Sequence, residues 1–436
     1  MNRRDFLRIS ALSSLGLITG CAVNPVTGDS QLMLVSEGRE IAIDRQNSPY
    51  QFSADYGALQ DRALNDYINA TGRAIAAHTH RPNMPYSFRG VNATYVNAYA
   101  FPGGSIACTR GILLSLDNEA ELAALLGHEL GHVNARHTAQ QMSKGMLVST
   151  LIGGIAAYAG TRDGALGDLA SGLGNIGAGA LLAKYSRDNE RQADALGMEY
   201  MVRGHYGPGG MIGLMEMLRS TSKRQPNVIE LMFSTHPMSD ERYRTVVRTS
   251  EAKYRHAKGF PLQRDRYMDH IAKLRSIENA IKAMQDGEKA MAKRDFRGAE
   301  GHFQRALKGA PNDYTGLVMM AKCQLAQEKY GEAQRFARQA KQVYTSEAQA
   351  YYIGGIAEVK SKDFRAAYED FKAYEKILPG NPNAIFFKGY SLEGMGQQKN
   401  AATEYYRYLN DVSEGENSRY AYQRLVQWGY IRPRKQ

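Results

Sequence analysis

The sequence predicts an α+β, mostly α protein in two unlike parts: a mixed N-terminal part with a small β-sheet, then a C-terminal α-solenoid of paired helices. Three observations carry that prediction. Apolar residues recur at helical spacing through much of 36–275. The stretch 84–109 breaks that period with aromatic and small residues around Pro102-Gly103-Gly104, as strands joined by a tight turn do. From about residue 280, one set of positions recurs every 34 residues. The chain has 436 residues, 43% apolar and 23% charged, which is the mixture of a folded protein with more than one core and excludes a disordered chain. Three cysteines exclude a disulfide framework.

Residues 1–20 read as a signal segment. Arg3, Arg4 and Arg8 precede a short apolar run from Ala11 to Ile18, too short to span a bilayer. Ile18-Thr19-Gly20-Cys21 resembles a bacterial lipobox, which makes Cys21 a lipid anchor and the mature N-terminus. Arg3-Arg4-Asp5-Phe6-Leu7 resembles a twin-arginine export motif, with an ordinary Sec segment as the alternative. Ala22 rather than an aspartate after the cysteine implies an outer-membrane lipoprotein facing the periplasm. Residues 21–35 are expected as a polar tether. The longest uncharged stretches, 145–161 and 169–183, are shorter than the roughly 20 residues a spanning helix needs.

Helical patterns occupy 36–48 and 58–78, and 94–101 and 105–109 read as strands. Asn118 with Glu121 three residues on is a capping-box-like start for an apolar helix. That helix contains His128-Glu129-Leu130-Gly131-His132. Spacing of i, i+4 puts both imidazoles on one face, at two corners of a zinc tetrahedron, with Glu129 beside them to act on a water. Surrounding leucines make two unpaired imidazoles there costly. A third ligand is needed. The metzincin pattern asks for glycine at 135 and histidine at 138, where this chain has Ala135 and Thr138. Glu190 and Asp194, also i, i+4 on a later helix, supply a third ligand and an acceptor that orients a liganding imidazole.

His128–His132, the run Asn189-Glu190-Arg191-Gln192-Ala193-Asp194-Ala195-Leu196-Gly197, Thr235-His236-Pro237 with Arg242, and Asn97-Ala98-Tyr99-Ala100-Phe101-Pro102-Gly103-Gly104 together resemble the zincin-like gluzincin peptidases of HtpX and the CAAX prenyl endopeptidase. The likeness runs over about 30–435 and is to the soluble periplasmic branch that joins the peptidase to tetratricopeptide repeats. It implies a zinc metalloendopeptidase, 36–275, holding one Zn2+ on His128, His132 and Glu190 with Glu129 as general base. Asp194 orients a ligand. His236 either donates a hydrogen bond to the tetrahedral intermediate or fills the fourth zinc position. Arg242 pairs with Asp194, pairs with the intermediate, or is a solvated arginine. A substrate peptide adds to the edge strand at Asn97, Ala98 and Tyr99, unless that strand is an ordinary core strand. Nine glycines between 153 and 179, within the stretch 145–183, are read either as a lid or hairpin over the cleft or as tight helix packing.

Phe296, Tyr330 and Phe364 stand 34 apart, with Gln398 in phase, as do Ala299, Ala333, Ala367 and Ala401, and Gly287, Ala321, Gly355 and Gly389. This is the pattern of four tetratricopeptide repeats over 280–415, capped by a helix in 416–436. Fourteen of 27 tyrosines lie in 280–436, some as core and some as a groove for extended polypeptide. Net charge is +11, of which 280–436 holds +7, with 25 basic and 18 acidic residues. The basic surface therefore belongs to the array and suits an acidic protein or anionic lipid. No nucleic-acid motif is present. Cys108 and Cys323 are expected as small buried hydrophobes. The family likeness implies protein quality control at the outer membrane, with polypeptide substrates (outer-membrane protein precursors) and envelope assembly machinery as partners. The rival reading is a chaperone or binding module with residual proteolysis.

Overall fold

The computed structural model describes residues 21–144, 185–224 and 226–432. The signal segment 1–20 and the glycine-rich stretch 145–183 lie outside the described residues. Instead of a free tether, the chain opens as a hairpin of β1 (Cys21–Val23) and β2 (Ser30–Leu32), paired antiparallel. It is fastened to the helical turns at 137–144: Gln140 donates to Gln31 at 2.9 Å and the Leu34 amide donates to Ser143 Oγ at 2.9 Å.

Helix α1 (Glu37–Ala54) starts at Ser36, whose hydroxyl accepts the Arg39 amide. It buries Glu40, which accepts from Arg81 at 2.7 Å and from Arg136 at 3.1 Å. Helix α2 (Arg62–Ala76), capped by Asp61, turns Leu64, Ile68 and Ile75 inward against the sheet. The sheet has order β3–β5–β4: β3 (Ser87–Val91) runs parallel to β5 (Ser105–Thr109), and β4 (Ala98–Ala100) is antiparallel to β5. The strand expected over 94–101 is thus only three residues long. Thr94 and Tyr95 leave the ladder because their own groups are engaged elsewhere: Tyr95 Oη donates to Asp55 at 2.5 Å and Thr94 bonds to the C-terminal part of the chain. Gly104, at φ +102°, closes the Pro102-Gly103-Gly104 turn between β4 and β5 in a backbone region that suits glycine.

After α3 (Arg110–Ser115) comes α4 (Glu119–Asn134), every residue of which is buried. Asn118 caps it, accepting the Glu121 amide at 3.0 Å. Helix α5 (Arg187–Arg203) begins with a capping box between Ser186 and Asn189. The two helices cross with backbones in contact. A Cβ on Gly127 would stand 2.8 Å from Gly197 O, one on Gly131 2.9 Å from the Ala193 Cα, and one on Gly197 2.7 Å from the His128 amide. Helices α6 (Gly209–Arg224), α7 (Pro226–Thr235) and α8 (Asp240–Ala252) close the far side. Short helices α9 (Arg264–His270) and α10 (Ala272–Ser276) lead out.

From there α11 (Glu278–Ala292), α12 (Phe296–Gly309), α13 (Tyr314–Ala326), α14 (Tyr330–Val343), α15 (Gln349–Lys360), α16 (Phe364–Ile377), α17 (Pro382–Gly394), α18 (Gln398–Asp411) and α19 (Glu416–Gln427) pack each on the next. Ala299, Ala333, Ala367 and Ala401 are each wholly buried at helix contacts. Gly287 lies against the Phe303 ring, Gly355 against Phe371 and Gly389 against Tyr405, where a Cβ would stand 2.3, 2.8 and 2.8 Å from ring carbon. In the second pair, Ala321 and Ala337 occupy the corresponding places, two small residues for one glycine and one ring. Cys108 and Cys323 are buried and free. Among the described residues no helix is long and apolar enough to cross a membrane.

Two predictions follow from this packing. Gly197→Ala pushes a methyl into the α4 backbone and should cost about 1–3 kcal/mol, whereas Gly301→Ala, with nothing within 4 Å of its added carbon, should gain up to about 1 kcal/mol from helix propensity; urea unfolding of the two variants checks the contrast. In the array, burial and then the charge of Asp370 push the Glu358 carboxyl up to about 7, above its ordinary 4.5. The folded protein therefore holds this proton when the unfolded chain has released it. The stability it contributes is full below about pH 4.5 and is lost as pH rises through about 7. Thermal melts at pH 5.5 and 8 should show a smaller loss of Tm across that interval in Glu358→Gln than in the unsubstituted protein.

Candidate metal centre

The α4–α5 crossing sets the geometry of the centre. Because the backbones touch, the inward side chains of one helix reach those of the other. His128 and His132, one turn apart on α4, bring their Nε2 atoms to 3.1 Å. Glu190, in the first turn of α5, places Oε1 3.4 Å from His132 Nε2 and Oε2 3.6 Å from His128 Nε2. His236, just beyond α7, adds Nδ1 at 3.1 Å from Glu190 Oε1 and 3.4 Å from His128 Nε2. Ligand atoms of these four buried residues all lie within 4.8 Å of one another. Bonds of about 2.0–2.1 Å in a tetrahedron separate ligand atoms by about 3.3 Å, so the spacings present fit one divalent cation. Three imidazoles and a carboxylate are also the donor set that suits zinc.

Glu129 is wholly buried beside this cluster, and neither of its carboxylate oxygens has a hydrogen-bond partner among the described residues. Burial raises its pKa, against the lowering effect of His236 and His128. An unpartnered buried carboxylate costs stability unless something else occupies its reach. Glu129 Oε1 lies 3.9 Å from His236 Nε2. For Glu190, burial alone would raise the pKa, but His236, His132 and His128 outweigh it and hold the carboxyl well below the usual range. Burial works the other way on His132 and pushes it well below the ordinary imidazole value. His236 is driven down by burial but carried above its ordinary value by Glu190 and Glu129.

Around these lies a supporting layer. Asp194 Oδ1 sits 2.9 Å from His128 Nδ1, and Arg242 grips Asp194 with Nε and Nη2, both at 2.7 Å. The Arg242 side chain is buried and also reaches Glu190 Oε2 at 2.6 Å and donates to the Pro237 carbonyl at 2.9 Å. It is therefore a buried charge partner, not a solvated arginine. Burial would raise Asp194, yet Arg242 and His128 hold it below the ordinary aspartate value.

Two further residues escaped sequence reasoning. His137 Nδ1 lies 2.9 Å from His132 Nδ1, and its Nε2 is 2.9 Å from Gln192 Oε1. It stands to His132 as Asp194 stands to His128. Its place five residues after His132 was visible, but the turn at Ala135-Arg136, with Arg136 at φ +59°, is what folds it back. Tyr185 stacks on the His132 ring at 3.8 Å between centroids, with its hydroxyl 3.0 Å from Thr138 Oγ1. No motif announces it.

The edge-strand residues are close by but differ among themselves. Asn97, Ala98 and Tyr99 are all buried. Tyr99 turns away from α4 and donates to Asp55 at 2.5 Å. Both side-chain polar atoms of Asn97 lack a partner. Cys21 is the first residue of β1.

The sequence profile of peptidase family M48 matches residues 62–250. The chain is similar to the beta-barrel assembly-enhancing protease of Yersinia pestis, 28% identical over 217 residues, which are 48% of this chain and 44% of that protein. It is similar to metalloprotease YcaL of Escherichia coli (strain K12), 30% identical over 247 residues, covering 54% of this chain and 93% of that one. A third likeness, 28% over 207 residues, is to the mitochondrial metalloendopeptidase OMA1 of Schizosaccharomyces pombe, covering 46% of this chain and 58% of that protein. The match thus spans less than half the length of the first relative.

Removing the partner that orients a ligand should weaken metal binding without removing a ligand. His137→Leu is expected to lower zinc affinity about 10–100-fold, and Arg191→Ala, whose ion pairs with Asp188 and Glu241 are on the surface, by less than about twofold; competition with a chromogenic chelator measures both.

Proposed function

Because the chain belongs to peptidase family M48, we propose that it is a zinc-dependent endopeptidase of the bacterial cell envelope. One observation carries the reading: four buried donors at tetrahedral spacing, with a buried carboxylate beside them that has no hydrogen-bond partner among the described residues. His128, His132 and Glu190 hold the metal, and His236 stands at the fourth corner. Zinc, when bound, supplies Lewis-acid activation of water and of the peptide carbonyl.

The residues do the rest. Glu129, with its proton affinity raised by burial, accepts a proton at a carboxylate oxygen as water attacks and returns it to the leaving amine. His236 would either complete the donor set that holds the metal or donate a hydrogen bond to the developing oxyanion. Asp194 and His137 fix the ring orientation of His128 and His132, and Arg242 keeps Asp194 ionised. The substrate chain lies along the free edge of β4 beside Asn97, Ala98 and Tyr99, with Ala98 offering the outward main-chain groups, which makes recognition tolerant of sequence.

Residues 36–275 form the peptidase domain and 280–415 four tetratricopeptide repeats, capped by α19. The 34-residue register of buried Ala299, Ala333, Ala367 and Ala401 supports the repeats. The array recruits substrates or assembly machinery through its basic surface. A lipid on Cys21 tethers the protein to the outer membrane, facing the periplasm. The substrates are misfolded or stalled outer-membrane proteins, and the likeness to a beta-barrel assembly-enhancing protease supports a link to β-barrel assembly.

Glu129→Gln keeps the ligands and removes the base. Its kcat on casein should fall at least about 10³-fold with one zinc per chain retained, by fluorogenic assay and elemental analysis. Chelation should abolish the activity of the unsubstituted enzyme and added zinc should restore it. Retention of full cleavage by the variant would sink Glu129 as the base, whereas an unsubstituted protein that is folded, zinc-free and inactive would sink the peptidase assignment and leave the function to the array.

A further inference from the structure

A groove of about 220 Å³ opens between α3, the C-terminal end of α6 and α11, lined by Val96, Leu114, Ser115, Ser220, Lys282 and Gln285. Val96 fixes where it lies relative to the metal centre. In the β4–β5 pairing Ala98 faces Cys108 and Tyr99 faces Ala107, and the Thr109 amide donates to Asn97 O at 3.0 Å. Asn97 and Tyr99 therefore turn their main-chain groups toward β5, while Ala98 and Ala100 turn theirs outward; Val96 lies two residues before Ala98, in the bend that leads into the strand. Among the described residues no strand pairs with that outer edge. Strand β4 packs against α4, and Ala98 and Cys108 share a core with Leu126 and Leu130, which flank His128 and His132. A chain laid along the free edge beside Ala98 reaches Val96, and hence the groove, within two residues, about 7 Å.

The far wall of the groove belongs to the C-terminal half, and that wall is locked to the strand. Gln285 donates from Nε2 to Thr94 O at 2.6 Å, and Thr94 Oγ1 donates to Glu288 at 2.5 Å. Thr315 on α13 donates to Asn92 O at 3.2 Å. The segment that feeds β4 is thus held at Asn92 and Thr94 by side chains of α11 and α13. The lining mixes apolar walls (Val96, Leu114) with hydroxyl and amide groups (Ser115, Ser220, Gln285), which suits an extended polypeptide rather than a helix with one apolar face. The Glu278–Lys282 ion pair on α11, at 2.6 Å, lies along the same wall.

We propose that this groove is a substrate subsite: a polypeptide paired to β4 continues past Val96 and packs its flanking residues against α11, so the first helix of the C-terminal half is part of the peptidase cleft. The proposal rests on the peptidase reading above and adds to it where the flank of the scissile segment goes. The array then does more than recruit at a distance, because its first helix touches the same substrate molecule that the metal centre cleaves.

Ser220 and Lys282 are exposed and line the groove from different helices, so Ser220→Trp and Lys282→Trp each fill it without disturbing a core. The substrates are a casein fragment of about twelve residues that the enzyme cleaves and the same fragment shortened to the residues nearest the cut. In each variant the ratio of kcat/KM for the long over the short peptide should fall about tenfold, mainly through KM of the long one. In the Glu129→Gln background, the Kd of the labelled long peptide by fluorescence anisotropy should rise about tenfold on adding either tryptophan. Ratios and Kd values within twofold of the parent, in variants with parental Tm, overturn the subsite. Absence of cleavage by the unsubstituted enzyme sinks the peptidase reading instead, and the anisotropy arm still decides the groove.

Discussion

Everything at the metal centre depends on α4 and α5 touching backbone to backbone. Helices normally pack at 8–10 Å between axes, with side chains interposed. Here Gly127, Gly131, Ala193 and Gly197 leave nothing to interpose. A carboxylate on a short stem such as Glu190 or Asp194 could not otherwise reach imidazoles on the neighbouring helix. The small residues inside and around His128–His132 are thus as necessary as the ligands: they set the separation that brings Glu190 and Asp194 on one helix to the imidazoles on the other, with His236 completing the cluster.

The same closeness creates an electrostatic problem, solved by layering. Burying Glu190, Asp194 and Glu129 in one place is costly, since each carboxylate loses its water. Arg242 compensates two of the three, meeting Asp194 in a bidentate pair and reaching Glu190 as well. His128 and His132 then take their orientation from Asp194 and His137. Among the described residues, Glu129 has no hydrogen-bond partner, and its nearest charge partner is His236 at 3.9 Å. In a centre where every other charge has been compensated, the uncompensated one is where chemistry is to be sought.

How much of this could be read from the sequence follows from the range of each interaction. His128, His132, Glu190 and Asp194 were legible because each pair lies one turn apart on a helix, and helical spacing is local. His137 was visible as a residue but not as a partner of His132, because its return depends on Arg136 adopting a left-handed turn. Tyr185 was not visible at all, since its stacking on His132 joins parts of the chain that no period relates. The 34-residue register picked out Gly287, Gly355 and Gly389 as close-approach points but not what approaches; the rings of Phe303, Phe371 and Tyr405 are the answer. At Ala321 the aromatic is missing because Ala337 takes its place, so the contact varies in kind while the spacing persists. The strand at 98–100 came out shorter than expected, and the supposed tether at 21–35 came out paired, because their backbone partners lie on other elements.

The division into halves, so plain in composition, is weaker in the folded chain. Arg110 meets Asp313 at 2.5 Å with both side chains almost wholly buried. Burial raises the Glu288 carboxyl and pulls the Lys322 ammonium down to about 8, with Glu288 itself opposing that fall. Gln60 donates to Val343 O at 2.9 Å, and Ser53 bonds Glu347. Water stabilises such groups well when the surfaces are apart, so a polar joint of this kind gains little from attraction alone; but once it is docked, breaking any one pair leaves a buried charge without its partner. The result is a joint that favours one alignment sharply over its neighbours. That is the property needed where Thr94, on the way into the edge strand, must be held in register with a metal centre built on other helices. A joint of apolar side chains would tolerate sliding, whereas one built from paired charges and amides does not.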